Sequence, residues 1–203
     1  MVLVDGGSGD RTREVFREHF SEGQGRSFRN ETNRGKGLAI RRGIQEARGE
    51  ILLLADADFS TPIEEFPKLH DFFQQGYDIA IGSRSLPDSN VTVHQAWYRE
   101  GMGKIFNRLV RWLVLRGFID TQCGFKVVRR EAVVALLPKM VIDGFCYDVE
   151  FLFLAHKAGL KIKEVPVTWV NDPVSKVHIL RDSTQMFLDL LMIRFRDLFG
   201  QYD

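Results

Sequence analysis

Short apolar runs alternate with amphipathic segments along the first half of the chain. Val2–Val4, Ile51–Ala55 and Tyr77–Ile81 are nearly continuous apolar runs and predict strands. Helix-start signals separate them, near Thr12, at Gly35 and at Pro62. This alternation predicts an α/β fold with a mostly parallel sheet. Because the strands are apolar throughout, we expect the sheet to be buried on both faces.

The second half continues with longer polar and amphipathic stretches. We expect a polar loop over Ser85–His94, an amphipathic basic segment over Tyr98–Phe118, a short strand after Phe125, helices from about Arg130, over Tyr147–Ala158 and from about Asp182, and a strand over Lys161–Trp169. No internal repeat or linker interrupts the series, so residues 1–203 are interpreted as a single domain.

Composition narrows the class of protein. The 203 residues are 44% hydrophobic and 27% charged, which is typical of a globular domain. Lys and Arg number 28 against 27 acids, so no global field recruits nucleic acid, and none is expected as a partner. The two cysteines have no metal-ligand spacing, and we expect a reducing, cytoplasmic setting. Neither a spanning segment nor a signal peptide is visible, so any membrane would be met from one side.

Polar residues follow the predicted strands, where ligands bind in open α/β sheets. Asp5, Asp56 and Asp58 stand there, with Ser83 and Arg84 after a later strand. Carboxylates on a strand end suit Mg²⁺ or Mn²⁺, and a diphosphate would complete the shell. Asp-x-Asp therefore indicates a metal-diphosphate site, although Asp is also a common turn and cap residue.

Gly35-Lys36-Gly37 stands at a predicted helix start. Free N–H groups, the helix dipole and the ammonium would together attract an anion. The motif is not a P-loop, since no Ser or Thr follows the lysine. A plain helix start is the alternative interpretation.

Taken in order, these segments resemble glycosyltransferase family 2, in its dolichyl-phosphate glucosyltransferase and mannose synthase branch. The resemblance covers essentially the whole chain, and the Asp-Thr-Gln-Cys-Gly-Phe-Lys motif is its most specific part. It rests on Val4–Ser8, Asn33–Ala39, Asp56–Asp58, Gly82–Arg84, Asp120–Lys126, Tyr147–Glu150 and Trp169–Lys176.

The resemblance implies a GT-A fold, a nucleotide-sugar donor and inverting transfer of a hexose to dolichyl or another polyprenyl phosphate. The glucosyl-like motif favours UDP-glucose. Asp58 would be the main metal ligand, helped by Asp56. The donor would also contact Asp5, Gly35, Lys36, Ala57, Ser83 and Arg84.

The same resemblance places the acceptor phosphate and two further acids. Acceptor residues would be Arg116, Gln122, Cys123, Lys126, Ser175 and Lys176. Asp148 and Glu150 are the remaining catalytic candidates. An acceptor phosphate has a second pKa of about 6 and is already anionic, so these two acids would orient groups rather than remove a proton.

Four departures from the family pattern accompany the resemblance. The family's opening strand and helix are missing, so the chain is expected to be N-terminally truncated. Gly6 replaces a carboxylate, Ser60 stands where mannose synthases often carry Gln, and Ile119 replaces a basic residue. Two alternatives therefore stay open: a sugar-phosphate nucleotidylyltransferase, and a catalytically degenerate nucleotide-sugar-binding scaffold.

Two helical segments predict surfaces for partners. Arg99, Lys104, Arg108, Arg111 and Arg116 alternate with apolar residues, which is typical either of an interfacial helix on the cytosolic face of an anionic membrane or of a solvated outer face. The segment 181–203 carries more apolar residues than one narrow stripe needs. We expect it to face lipid, a membrane segment or a second copy in a homo-oligomer.

Overall fold

A computed structural model describes residues 1–21, 23–93, 96–171 and 179–203. The described strands are β1 (Val2–Asp5), β2 (Arg26–Arg29), β3 (Ile51–Leu54), β4 (Ile79–Ser83), β5 (Asn90–Val93), β6 (Lys126–Arg129), β7 (Ile162–Pro166) and β8 (Thr168–Val170). The described α-helices are α1 (Thr12–His19), α2 (Lys36–Glu46), α3 (Phe66–His70), α4 (Trp97–Leu113), α5 (Arg130–Val134), α6 (Tyr147–Lys157) and α7 (Ile179–Leu198).

The central sheet has the strand order β3-β6-β4-β7. Three of its strands share one direction, as the sequence predicts, and β6 runs antiparallel between β3 and β4. The register sets Lys126 opposite both Leu54 and Ile81. The first residue of β6 therefore lies between the carboxyl ends of β3 and β4, where the site is expected.

Side-chain alternation gives the central sheet a buried layer on each face, which confirms the expectation from its apolar strands. In β4, Ile79 and Ile81 join the larger core cluster, whereas Ala80 joins the smaller one. Helix α6 belongs to the larger cluster, and all its residues from Tyr147 to Ala155 are buried. Its acids are therefore core residues by position.

Two small parallel sheets flank the central one, β1 with β2 and β5 with β8. The β5–β8 sheet corrects two predictions made from the sequence. The polar loop over Ser85–His94 contains β5, and the strand over Lys161–Trp169 divides into β7 and β8. The N–H of Val170 donates to the carbonyl of Ser60 at 2.8 Å, which joins β8 to the loop after β3.

The helices differ from the predictions mainly in length. The segment after Pro62 divides into a 3-10 turn, α3 and a second 3-10 turn. The basic segment is helical only to Leu113, and the last helix begins at Ile179. Among the residues described, no helix is both long and apolar enough to cross a bilayer.

Candidate active site

Asp56 and Asp58 lie just beyond the carboxyl end of β3, where they line a shallow pocket. Asp58 Oδ1 accepts the N–H of Ser60 at 3.0 Å. Phe59, which lies between Asp58 and Ser60, has φ of +47°. This left-handed conformation costs a non-glycine residue about 1–3 kcal/mol and is frequent at functional sites. The pocket is lined by Ala55, Asp56, Asp58, Phe59, Ser60, Thr61, Gly124, Phe125 and Trp169.

Lys36 pairs with the first of these carboxylates, at 2.6 Å between Nζ and Asp56 Oδ1. Burial alone would lower the pKa of Lys36, but the carboxylates of Asp148 and Asp56 outweigh it, so the pKa lies above its ordinary value. The ammonium is therefore a fixed positive charge at the site.

The glycines around Lys36 have a different purpose from the predicted one. The N–H groups of Gly37 and Leu38 donate to the Asp143 carbonyl, at 2.7 and 3.4 Å, instead of facing an anion. A Cβ at Gly35 would lie 2.4 Å from the same oxygen, and Gly35 has φ of +125°. The anion-binding expectation is thus confined to the Lys36 side chain, and the glycines allow close packing of the loop at Asp143.

Gly124 lies against the carboxylate of Asp56. A Cβ on Gly124 would stand 2.0 Å from Asp56 Oδ2, so only glycine leaves this carboxylate where it is. The motif glycine therefore sets the position of Asp56.

Gly124→Ala is expected to displace Asp56 and separate it from Lys36 while leaving the fold intact, because the clash is with a side-chain tip. A misplacement of about 1 Å at a site costs up to about a hundredfold in turnover, so we expect a loss of that size and weaker Mn²⁺ binding by titration. Gly103→Ala is the control, since a Cβ there meets open space. Unchanged Mn²⁺ affinity in Gly124→Ala would show that Asp56 does not need this glycine.

Arg84 is held by a buried carboxylate. Its Nε and Nη2 donate to the two oxygens of Asp120 at 2.7 and 2.9 Å. Burial raises the pKa of Asp120, but the charge and hydrogen bonds of Arg84 outweigh it, so the carboxyl stays ionised. The guanidinium carbon lies 5.5 Å from the ring centre of Trp169, which lines the pocket. The arrangement fixes a cation beside the pocket.

Asp5 belongs to the separate β1–β2 sheet. Its Oδ1 accepts the N–H groups of Gly7 and Ser8 at 3.1 and 2.8 Å. Burial raises the pKa of Asp5, but these hydrogen bonds and Arg29 outweigh it and lower the pKa overall. Oδ2 is buried and has no partner among the described residues. This acceptor fits a donor group on a ligand, so the nucleotide role of Asp5 stays a prediction.

Asp148 and Lys126 form an ion pair inside the protein. Lys126 Nζ lies 2.5 Å from Asp148 Oδ1 and 2.6 Å from the carbonyl of Cys123. Lys126 is 1% exposed and Asp148 2%. In this structure the two groups bind each other, and the Asp148 carboxylate also acts on Lys36. The acceptor role of Lys126 and the catalytic role of Asp148 stay predictions.

Glu150 is also a carboxylate in the core, and its catalytic role stays a prediction. It is fully buried and accepts the N–H groups of Val141 and Ile142, at 2.9 to 3.1 Å, and the hydroxyl of Tyr202 at 2.6 Å. It fixes the loop that leads to Asp143, and through that loop the start of α2. Its influence on the site is therefore indirect.

Tyr202→Phe is expected to lower the free energy of unfolding by about 1.5–3 kcal/mol, because a hydrogen bond to a charged, buried group is lost. Tyr202 does not line the pocket, so UDP affinity should stay unchanged. Urea unfolding and nucleotide titration measure the two quantities. Full stability in the variant would show that Glu150 is satisfied by the backbone alone.

Two other predicted contact residues are buried, and their contact roles stay predictions. Ser83 is fully buried, with its carbonyl accepting the Ser89 hydroxyl at 2.7 Å. Cys123 is 1% exposed, and burial raises the pKa of its thiol, which suits packing and not contact with a phosphate.

The other predicted contacts lie nearer the surface or outside the described residues. Gln122 is half-buried, and Arg116 and Ala57 are exposed. Ser175 and Lys176 lie outside the described residues. The acceptor role of these four polar residues, and the donor role of Ala57, remain predictions.

The donor set fits a divalent cation shared with a ligand. Among the described residues, no group of three or more His, Cys, Asp or Glu side chains could hold a metal ion by itself. Two carboxylates next to an open pocket are nonetheless what Mg²⁺ sites with substrate phosphates use. Asp58 and Asp56 would supply the protein ligands.

Three residues at the site were missed by the sequence interpretation. Asp120 orients Arg84, Gly124 admits Asp56 and Trp169 lines the pocket. The first two stand inside the quoted motif, so their position beside Cys123 was a usable signal. Trp169 begins another segment of the resemblance, but its place at the pocket depends on tertiary contacts, the β5–β8 pairing and the hydrogen bond from Val170 to Ser60.

The sequence matches known glycosyltransferases. Residues 1–137 match the sequence profile of Glycosyl transferase family 2. The dolichyl-phosphate beta-glucosyltransferase of Dictyostelium discoideum is 35% identical over 98% of this chain and 64% of its own length. The human protein of that name is 34% identical over 100% of this chain and 65% of its own length. The chain thus spans a little under two thirds of these relatives.

Solved structures share the fold. Glucosyl-3-phosphoglycerate synthase of Mycobacterium tuberculosis superposes with a TM-score of 0.66 at 17% identity, covering 96% of this chain and 68% of that one. Mannosyl-3-phosphoglycerate synthase of Rubrobacter xylanophilus gives 0.67 at 20%, covering 98% and 63%. The predicted GT-A fold is confirmed. By the profile match over two thirds of its length and by this architecture, the chain belongs to glycosyltransferase family 2.

Proposed function

We propose that this chain transfers glucose from UDP-glucose to dolichyl or another polyprenyl phosphate, with inversion and with Mg²⁺ or Mn²⁺. The observation that carries the proposal is the pair Asp56 and Asp58 at a strand end, in a pocket that Trp169 also lines, with the cation of Arg84 packed on the Trp169 ring. The names of the relatives favour glucose and dolichyl phosphate. One structural neighbour binds Mn²⁺ with UDP.

The chemistry needs no strong base. An oxygen of the acceptor phosphate attacks the anomeric carbon, a new carbon–oxygen bond forms, and the bond to UDP breaks with its electron pair on the diphosphate. The acceptor oxygen is already deprotonated near neutral pH. This agrees with the burial of Asp148 and Glu150, which are not available to take a proton.

The chain's own groups bind and neutralise charge. Asp58 and Asp56 would hold the cation, which when bound stabilises negative charge on the departing diphosphate. Lys36 keeps Asp56 in position and adds a positive charge near the diphosphate. Arg84, fixed by Asp120, offers its remaining donors to an anion in the pocket. The chain is expected to act peripherally, on the cytosolic face of the membrane that carries the acceptor.

The proposal is tested by UDP release with UDP-glucose, GDP-mannose and UDP-N-acetylglucosamine, each with and without a short polyprenyl phosphate. We expect release only with UDP-glucose and acceptor, and only with Mg²⁺ or Mn²⁺. Pyrophosphate release from UTP and a sugar phosphate would identify a nucleotidylyltransferase instead. Metal-dependent nucleotide binding without turnover would indicate a scaffold and would overturn the proposal.

A further inference from the structure

The outer surface of α4 has two adjacent stripes. Tyr98, Ile105 and Trp112 are exposed at intervals of seven residues, so they share one side of the helix. The exposed cations Lys104, Arg108 and Arg111 lie next to them. Trp112 is 75% exposed, which is far from the usual place of a tryptophan in a globular protein. Apolar and aromatic groups beside cations are typical of a helix lying in a membrane interface.

The outer surface of α7 is apolar over four turns. Between Phe187 and Phe195 every residue classed as exposed is apolar, and the partly exposed Arg194 is paired with Asp197 at 3.0 Å. Phe195 and Phe199 are in contact, with ring centres 4.3 Å apart. The exposed apolar residues are Phe187, Leu188, Leu191, Met192, Phe195, Leu198 and Phe199. A contiguous apolar surface of this length is unusual on a free monomer and marks a binding surface.

Both helices pack on the same core and on each other. Val110 of α4 and Leu190 and Ile193 of α7 belong to the same buried cluster, and the two helices are in contact. Each helix therefore turns its buried side towards this core and its exposed side away from it. We call the exposed residues just named on α4 and α7 the α4–α7 face.

We propose that the α4–α7 face docks the protein on an anionic lipid surface, with α7 supplying apolar contact and α4 supplying cations and interfacial aromatic residues. Charge decides for lipid over a second copy of the chain. Lys104, Arg108 and Arg111 would oppose their own copies across a symmetric contact, whereas anionic headgroups complement them. This proposal rests on the proposed function in one respect: docking would bring the pocket to a lipid-linked acceptor.

Vesicle sedimentation without donor or acceptor tests the docking surface. We expect binding to phosphatidylcholine vesicles with about 30% phosphatidylserine, and much weaker binding to phosphatidylcholine alone. The triple variant Lys104→Ala, Arg108→Ala, Arg111→Ala should bind the anionic vesicles about a hundredfold more weakly, since each cation near such a surface contributes about fivefold. Added salt should weaken the wild-type binding in the same direction.

A matched control removes three exposed cations elsewhere, Arg17→Ala, Arg48→Ala and Lys161→Ala, and should keep full vesicle binding. A second variant, Phe187→Gln, Leu191→Gln, Phe195→Gln, should lose binding to both kinds of vesicle. Equal binding by the two cation variants, or no vesicle binding by the wild type, would overturn the proposal. So would a wild-type dimer in light scattering that the glutamine variant dissociates without any change in vesicle binding.

Turnover with a short water-soluble polyprenyl phosphate separates this proposal from the proposed function. The α4 triple variant should keep wild-type turnover of that acceptor and lose turnover only on acceptor embedded in vesicles. Loss on the soluble acceptor too would place these cations in the catalytic reaction and overturn a docking role. Absence of all turnover, with vesicle binding and its cation dependence intact, would count against the transferase alone.

Discussion

Asp58→Ala is expected to lower glucosyl transfer by about a thousandfold or more. Asp58 is an exposed carboxylate that borders the pocket at the end of β3. A divalent cation contributes several kcal/mol of charge stabilisation, and each 1.36 kcal/mol corresponds to a factor of ten. Loss of about 4 kcal/mol therefore predicts this effect. Acceptor-dependent UDP release measures it, and Mn²⁺ binding followed by electron paramagnetic resonance should weaken in parallel.

Asp71→Ala is the matched control, because Asp71 is an equally exposed acid outside the pocket. Both variants should keep the wild-type unfolding temperature, since neither side chain is buried. Asp58→Ala with turnover within tenfold of wild type, in folded protein, would contradict the role assigned to this carboxylate. Intact Mn²⁺ affinity together with lost turnover would instead place Asp58 on the sugar or the acceptor.

The sequence predicted that Asp56 and Asp58 lie at one edge of the sheet because strand ends are visible in it. A continuous apolar run, Ile51–Ala55, is followed at once by two acids, and the parallel α/β rule puts such residues at one edge of the sheet. The structure brings Asp56, Asp58 and Lys36 together there. Local pattern and global fold agree at this position, so local reasoning was sufficient.

Burial was the property that the sequence did not reveal. The resemblance places Asp148, Glu150 and Lys126 at the site, and charged side chains are seldom fully buried, so nothing in the sequence indicates that these three lie in the core. Their partners are the N–H groups of a distant loop, a tyrosine hydroxyl and each other. Lys126 and Asp148 pair although they lie 22 residues apart in the chain, because β6 enters the sheet antiparallel. The hydrophobic pattern of a four-residue strand does not predict its direction in the sheet.

The β5–β8 pair was missed for a related reason. Asn90–Val93 is largely exposed, so it has neither the apolar run nor the clean alternation that predicts a strand. It forms because Thr168–Val170 offers a pairing edge. The position of Trp169 at the pocket is a consequence of this tertiary pairing, and reasoning from local sequence could not supply it.

Breaking the Lys126–Asp148 pair is expected to destabilise the whole fold. Either Lys126→Ala or Asp148→Ala removes the direct partner of a charge in a core position, which costs about 3–5 kcal/mol. For a chain of this size that corresponds to a fall of about 10 °C in the unfolding midpoint. Calorimetry or circular dichroism measures the shift. The double variant Lys126→Met, Asp148→Leu should recover most of the loss, because no unpaired charge remains.

Two further variants distinguish a structural role of the Lys126–Asp148 pair from a catalytic one. Arg11→Ala, which breaks the exposed pair with Glu14, should cost less than about 1 kcal/mol. Asp148→Asn should lower stability, and its turnover at low temperature should follow the folded fraction. If Asp148→Asn kept wild-type stability and UDP-glucose affinity but lost turnover, Asp148 would act on the substrate. The ion pair between Lys126 of β6 and Asp148 of α6 would then have to open during each catalytic cycle, and its burial argues against that.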